Sequence, residues 1–197
     1  MEMKRIGVLA LQGAFIEHIS MLHRIGAEAI PVRLPRDLDG VEGMVIPGGE
    51  STTIGKLMER YELNPVLKRR IADGLPVLGT CAGMILLARE ATELNGYSLG
   101  VLDIGVRRNA FGRQVDSFEI DLPVSAIGPS PFHAVFIRAP WIEKVGVGVE
   151  VLAHLPDGTP VAARSGNIVV AAFHPELTAD TRFHSYFLDI VDERCKK

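Results

Sequence analysis

Leu75-Pro76-Val77-Leu78-Gly79-Thr80-Cys81-Ala82-Gly83-Met84-Ile85-Leu86-Leu87-Ala88 carries a short apolar run into a sharp turn and out again into a second apolar run. Residues 75–78 read as a buried strand and 84–88 as the opening of a helix, with Cys81 on the turn between them. Glycines at 79 and 83 suit a strained backbone that a side chain would crowd. A thiol at a helix N-terminus feels the positive end of the helix dipole, which favours the thiolate, the form that attacks carbonyl carbon. Taken alone, the same pentapeptide also fits a buried structural cysteine, so the neighbouring segments have to decide.

Working outward, strands and helices alternate. Residues 4–11 form an apolar strand and 13–25 a helix with Phe15, Ile16, Ile19, Leu22 and Ile25 in periodic positions. Strands over 29–32 and 44–46 follow, separated by a polar loop at 35–40, and helices over 51–61 and 64–72 lead back to the cysteine strand. This pattern predicts an α/β fold with an open, largely parallel central sheet flanked by helices. Beyond Gly96 the strand-like segments 115–122, 134–137, 149–154, 160–164 and 168–173 are separated by Pro and Gly turns, predicting an antiparallel extension packed on or continuing that sheet. An amphipathic helix over 178–195, burying Phe183, Phe187, Leu188 and Val191, closes the chain. At 197 residues the expectation is a single domain, 1–197.

Composition narrows the function classes. A formal charge of -3 with 47% hydrophobic residues describes an ordinary soluble protein, with no basic stripe for nucleic acid and no apolar run of bilayer length. Cys81 and Cys195 fit a reducing compartment, hence a cytoplasmic location, and no Cys/His spacing indicates zinc.

A second chemical element ends the apolar run 167–173, where His174-Pro175-Glu176 follows. A carboxylate beside an imidazole selects the useful tautomer and stabilises imidazolium, while the imidazole takes and returns the thiol proton. A His-Pro-Glu turn alone is more often structural, but with a cysteine elbow in the same small domain it reads as a catalytic set, Cys81, His174 and Glu176. His18 and His23 on the first helix and His184 on the last read as solvated or half-buried residues, His133 and His154 as strand-end residues, and Cys195 as a bystander.

The third element is Pro47-Gly48-Gly49-Glu50-Ser51-Thr52-Thr53, between a strand and a helix, with Ser51 or Thr52 placed to cap the helix. Its consecutive glycines can turn N–H groups towards an oxyanion, and the amides of Gly49 and Ala82 would make a two-donor oxyanion hole. Gly49…Gly55-Lys56 misses the phosphate-loop pattern, since five residues separate the glycines and Leu57 stands at the magnesium-ligand position. Gly146-Val147-Gly148 lacks the third glycine of a dinucleotide fingerprint, so no cofactor is indicated.

A cysteine elbow, an oxyanion-type Gly-Gly loop and a His-Pro-Glu turn resemble the class I, triad-type glutamine amidotransferases. Leu9-Ala10-Leu11-Gln12-Gly13-Ala14-Phe15 with Glu17-His18, the Pro47–Thr53 string, Arg108-Asn109, Phe111-Gly112-Arg113-Gln114 and Ser117-Phe118 narrow the likeness to the glutaminase subunits of pyridoxal 5'-phosphate synthases. That resemblance implies that Cys81 attacks the side-chain amide of L-glutamine, with His174 as base and acid and Glu176 as its orienter. It assigns glutamine binding to Gly49, Glu50, Ser51, Arg108, Ile137 and Arg138. It further implies a separate (β/α)₈-barrel synthase partner, in heterodimers assembled as a dodecamer of heterodimers, with Gln12, Glu17 and His18 near that partner. Little glutaminase activity is expected of the isolated chain, one route being a peptide in the Gly48-Gly49 loop that points its carbonyl into the oxyanion site until docking flips it. Two rival readings are a glutaminase serving another acceptor, such as that of histidine biosynthesis, and a non-catalytic cysteine sensor or chaperone on a related fold.

Overall fold

The structure is a computed structural model that describes residues 3–92, 94, 96–108 and 117–196. Asn109 and the Phe111-Gly112-Arg113-Gln114 string therefore lie outside the described residues, as do the first two residues of the strand expected over 115–122.

The near-continuous apolar runs fold as strands buried on both faces. β1 (Arg5–Leu9), β2 (Glu28–Val32), β3 (Gly43–Ile46) and β4 (Val77–Thr80) join β10 (Glu150–His154), β11 (Pro160–Ser165) and β12 (Ile168–Ala171) in one sheet of order β10-β11-β12-β4-β3-β1-β2. The five strands from β12 to β2 are parallel and β10 and β11 run antiparallel at one edge, in line with the expected α/β sheet. Helices α1 (Phe15–Arg24), α2 (Ser51–Arg60), α3 (Leu63–Ala72), α4 (Ala82–Leu87) and α5 (Arg182–Cys195) accompany it. The apolar stripe of α1 buries Met21 and Leu22, and that of α5 buries Phe183, Phe187, Ile190 and Val191.

Three placements differ from the sequence reading. β4 lies two residues later than the run 75–78: Pro76 has no N–H for a ladder, and its carbonyl instead accepts from the Met44 N–H at 2.9 Å. α4 stops at Leu87 and a strand, β5 (Ala88–Ala91), begins at once. The last-turn carbonyls explain this, since Leu86 and Leu87 accept from the N–H groups of Leu99 and Val101 at 2.7 and 3.0 Å, which ties the helix end to the returning chain. β5 pairs in parallel with β6 (Leu102–Arg107), which pairs antiparallel with β9 (Trp141–Val145), making a second small sheet that the sequence reading did not foresee. β7 (Ser117–Leu122) and β8 (Phe132–Ile137) form a separate antiparallel ribbon, so the extension both continues the main sheet and packs beside it.

Neighbouring strands bring the chemistry together. β12, β4 and β3 are adjacent, with Ala171 opposite Thr80 and Ile46 opposite Gly79, so the segments leaving their carboxyl ends emerge side by side. Those segments are His174-Pro175-Glu176, the Cys81 turn and the Gly48-Gly49 loop.

Candidate active site

Cys81 occupies the step from β4 into α4 with φ 47° and ψ -102°, a conformation rarely adopted by a residue with a side chain. Its N–H donates to the carbonyl of Ala171 at 2.8 Å, which ties the turn to β12. The thiol is 6% exposed, and its Sγ lies 4.0 Å from the carbonyl oxygen of Ile137 at the end of β8. Ala82 opens α4, so its N–H belongs to the set that no helical carbonyl satisfies.

His174 sits beside the thiol. Its N–H donates to Val135 O at 2.8 Å, so the ribbon strand β8 holds the backbone of this residue. Its Nδ1 lies 2.7 Å from Oε1 of Glu176, and its ring lines the same cavity as the Cys81 thiol, near enough for the sulfur to raise its proton affinity. With Nδ1 engaged by the carboxylate, Nε2 is the ring nitrogen left to serve the sulfur. Burial opposes a charge on this imidazole, but the hydrogen bonds and opposite charges of Cys81 and Glu176 outweigh it and push its pKa up to about 10. Glu176 is 6% exposed. Burial works against its ionisation too, yet His18 and His174 hold its carboxyl below the ordinary range. A thiol, an imidazole and a carboxylate in this order can pass the sulfur's proton to the ring, and the imidazolium so formed can give it to a departing amine.

The Gly48-Gly49 loop forms the opposite wall. The Gly48 carbonyl accepts from the Ala14 N–H at 3.0 Å, so among the loop's peptides this one has its carbonyl engaged by the first loop. In a trans peptide the N–H points opposite to the carbonyl, so the Gly49 N–H faces away from Ala14. Gly13, at φ 98°, is the residue that lets the first loop approach so closely: a Cβ there would fall 1.9 Å from the Gly48 oxygen. Gln12 completes the contact by accepting from the Glu50 N–H at 2.8 Å.

Glu50, rather than Ser51 or Thr52, caps α2. Its carboxylate accepts from the N–H groups of Thr52 and Thr53 at 3.0 and 2.7 Å and from the Thr53 hydroxyl at 2.6 Å. Partial burial resists its charge, but these donors bring its pKa down to about 2. Arg108 donates to Glu50 Oε1 and to Thr52 Oγ1, both at 3.2 Å, so the cation is held over the cap. Arg138 follows β8 at φ 44° and is exposed. Gly49, Glu50, Ser51, Cys81, Ile85, Arg108, Ile137, Arg138 and His174 line one cavity of about 410 Å³, within the roughly 300–1,000 Å³ of small-ligand sites. The six residues expected from the sequence to form the ligand site thus line the same cavity as the thiol, with Ile85 as an addition.

The first helix departs from expectation. Gln12 is half-buried and Glu17 exposed, but His18 is 0% exposed and turned inward, so it offers no surface to a partner. Its Nε2 lies 3.3 Å from Glu176 Oε2 and 3.1 Å from Thr80 Oγ1, and its Nδ1 lies 2.9 Å from Nε2 of His184, which is also 0% exposed. A sequence signal existed: His18 shares a helix face with Met21 and Leu22, and His184 lies between Phe183 and Phe187 on the apolar stripe of α5. Among the described residues no cluster of side chains could hold a metal ion and no helix is long and apolar enough to cross a membrane.

Residues 8–193 match the SNO glutamine amidotransferase family. The chain is 60% identical over 188 residues to the pyridoxal 5'-phosphate synthase subunit PdxT of Herpetosiphon aurantiacus, covering 94% of this chain and 99% of that one. It is 56% identical over 191 residues to the subunit of the same name from Dehalococcoides mccartyi, covering 96% and 98%. A crystal structure described as a glutamine amidotransferase superposes with a TM-score of 0.90 at 50% identity, over 95% of this chain and 98% of that one.

Proposed function

Since the chain belongs to the SNO glutamine amidotransferase family, we propose that it is the glutaminase subunit of a pyridoxal 5'-phosphate synthase, releasing ammonia from L-glutamine for a synthase partner. The observation that carries this reading is the meeting of Cys81, His174 and Glu176 at adjoining strand ends, beside a cavity sized for a small ligand. Relatives bearing that subunit's name match nearly end to end, which favours it over a glutaminase for another acceptor or a cysteine sensor.

The residues then divide the reaction. The Cys81 thiolate adds to the amide carbon of glutamine, and the oxygen that gains charge is met by the N–H groups of Gly49 and Ala82. The imidazolium of His174 protonates the nitrogen as the C–N bond breaks, giving ammonia and a Cys81 thioester. Water, giving a proton to His174, attacks that thioester, and glutamate leaves with the thiol restored. Glu176 keeps the ring oriented throughout. Arg108 and Arg138 supply cations for the α-carboxylate, and Gly49, Glu50, Ser51 and Ile137 supply backbone and carboxylate groups around the α-ammonium. Ammonia set free in water is protonated and lost, so the partner is read as a (β/α)₈ barrel docked over the site, heterodimers assembling as a dodecamer of heterodimers. Gln12 and Glu17 remain near that docking face. The reading treats residues 1–197 as one glutaminase domain working in the cytoplasm.

A glutaminase assay with and without the synthase subunit tests reaction and partner together. Glutamate release should rise strongly on adding the barrel subunit and vanish in Cys81→Ala, and a glutamine-analogue electrophile should alkylate Cys81 unless free glutamine protects it. Equal rates with and without the subunit would defeat the coupling, and turnover by Cys81→Ala would defeat the mechanism.

A further inference from the structure

The three catalytic groups account for one oxygen of Glu176. Its other oxygen, Oε2, is buried and meets no hydrogen-bond partner of good geometry among the described residues, although Nε2 of His18 lies 3.3 Å away. A buried carboxylate oxygen without a donor is costly, and the cost falls on the charged form. Behind His18 stands His184, with Nε2 2.9 Å from Nδ1 of His18, and the Nδ1 of His184 is itself buried without a partner.

This arrangement decides between two proton patterns. Were His18 protonated on Nδ1, it would donate to His184, whose own proton would then sit on a buried Nδ1 facing no acceptor. The Nε2 lone pair of His18 would at the same time face the Glu176 carboxylate. In the other pattern His184 carries its proton on Nε2 and donates to Nδ1 of His18. His18 then carries its proton on Nε2, between Glu176 Oε2 and Thr80 Oγ1 at 3.3 and 3.1 Å. Only an unused lone pair, on Nδ1 of His184, is left buried, a lesser penalty than a stranded N–H. Burial disfavours the charged form of both rings, on His18 against the pull of the Glu176 carboxylate, and in the neutral rings the tautomer is meaningful.

We propose that His18 is a positioning residue for the catalytic carboxylate, its Nε2–H tautomer fixed by His184 and its proton held between Thr80 Oγ1 and Oε2 of Glu176, where its positive end faces the carboxylate. The catalytic line thereby continues through the core, from Cys81 on β4 through His174 and Glu176 to α1 and α5. The groups that face Glu176 are His174 from the end of β12 and His18 from α1, with Thr80 of β4 beside His18, His184 of α5 behind it and exposed Glu17 next to it on α1. Removing the His18 donor raises the proton affinity of Glu176, and a protonated Glu176 no longer supports the imidazolium of His174. The acid limb of the rate profile then moves up in pH and the alkaline limb down.

This inference rests on the glutaminase reading, and the test separates the two. In the complex with the synthase subunit, His18→Leu should lower kcat about tenfold or more with KM for glutamine changed less than about twofold, and should narrow the pH–rate bell from both sides. His18→Gln, whose amide keeps a donor for Glu176 and an acceptor for His184, should restore most of the width. The acid limb of Cys81 alkylation by iodoacetamide should move up in pH in the same order, and it is readable even if glutamine is not the substrate. Side-chain ¹⁵N spectra of the wild-type protein need no variant and should show His18 and His184 protonated on Nε2. An unchanged bell and alkylation profile in a folded His18→Leu, or a proton on Nδ1 of His18, overturns the proposal. A wild-type complex without glutaminase activity overturns the functional reading instead.

Discussion

At the scale of single residues, the site is built by close approach. A Cβ on Gly48 would fall 2.3 Å from Cε1 and 2.9 Å from Nδ1 of His174, and 3.4 Å from the Cβ of Cys81. The imidazole is pinned by Glu176 and has no free rotamer to yield. Gly48→Ala should therefore cost about 100-fold in kcat in the complex, the scale of an ångström-sized misplacement, while the melting temperature changes little. His174 makes a second prediction. Its folded pKa is raised to about 10, so the proton needed by the leaving nitrogen is present at neutral pH and is lost as pH rises through that value. Glu176→Gln removes a negative partner and should draw the alkaline limb of the rate profile down by about one unit or more. Cys81, His174 and Glu176 were legible in the sequence because each stands in a short string whose chemistry is local. His18 and His184 gave only a weak signal, their place on apolar helix faces, because a lone histidine on a helix reads as solvated until packing brings two ring nitrogens within 2.9 Å.

Among elements, α2 and α4 show how local chemistry and tertiary contact share control. The Glu50 cap is a carboxylate that takes three hydrogen bonds from Thr52 and Thr53 and a further one from Arg108. Its folded pKa, about 2, lies below the ordinary 4.5, so it adds stability that is complete above about pH 4.5 and fades as pH falls towards 2. Urea titrations should show wild type losing stability over that window, and Glu50→Gln losing less of it. The sequence offered Ser51 and Thr52 as caps, and both are ordinary cap residues. What it hid was that Gln12 fixes the Glu50 N–H, which places the carboxylate over the first turn. α4 is governed by β3: a Cβ on Gly83 would stand 2.0 Å from the carbonyl oxygen of Ile46. Gly83→Ala should cost about 3 kcal/mol in chemical denaturation, at the upper end of overpacking penalties, because the obstruction is backbone. Periodicity gave the parallel strands, with a two-residue offset at β4, since two-sided burial makes the inner ones continuously apolar. It missed β5 and β9, where exposed residues such as Arg89, Glu90, Glu143 and Lys144 break the apolar pattern, and with them the β6 strand they flank.

Across the whole molecule, an aromatic cluster joins the parts that hold His174. Phe173 packs its ring 5.6 Å from Phe132, 5.7 Å from Phe136 and 5.3 Å from Phe183, linking the segment after β12 to the β7–β8 ribbon and to α5. Phe173→Ala should cost about 3–5 kcal/mol of stability, and the neighbouring base should lose alignment with the sulfur, so kcat falls even in the fraction that remains folded. A calorimetric scan together with active-site titration distinguishes the two losses. The parallel strands also sort the two ends of the molecule. Cys81 and His174 leave the carboxyl ends of β4 and β12, whereas Lys4 lies just before the amino end of β1, 3.5 Å from Asp192 of α5, and Cys195 lies 3.4 Å from Glu42, which precedes β3. The exposed thiol of Cys195 and the recessed thiol of Cys81 thus occupy opposite poles. A maleimide dye or a biotin tether on Cys195 would immobilise the protein on a sensor chip with its catalytic mouth facing the flowing solution.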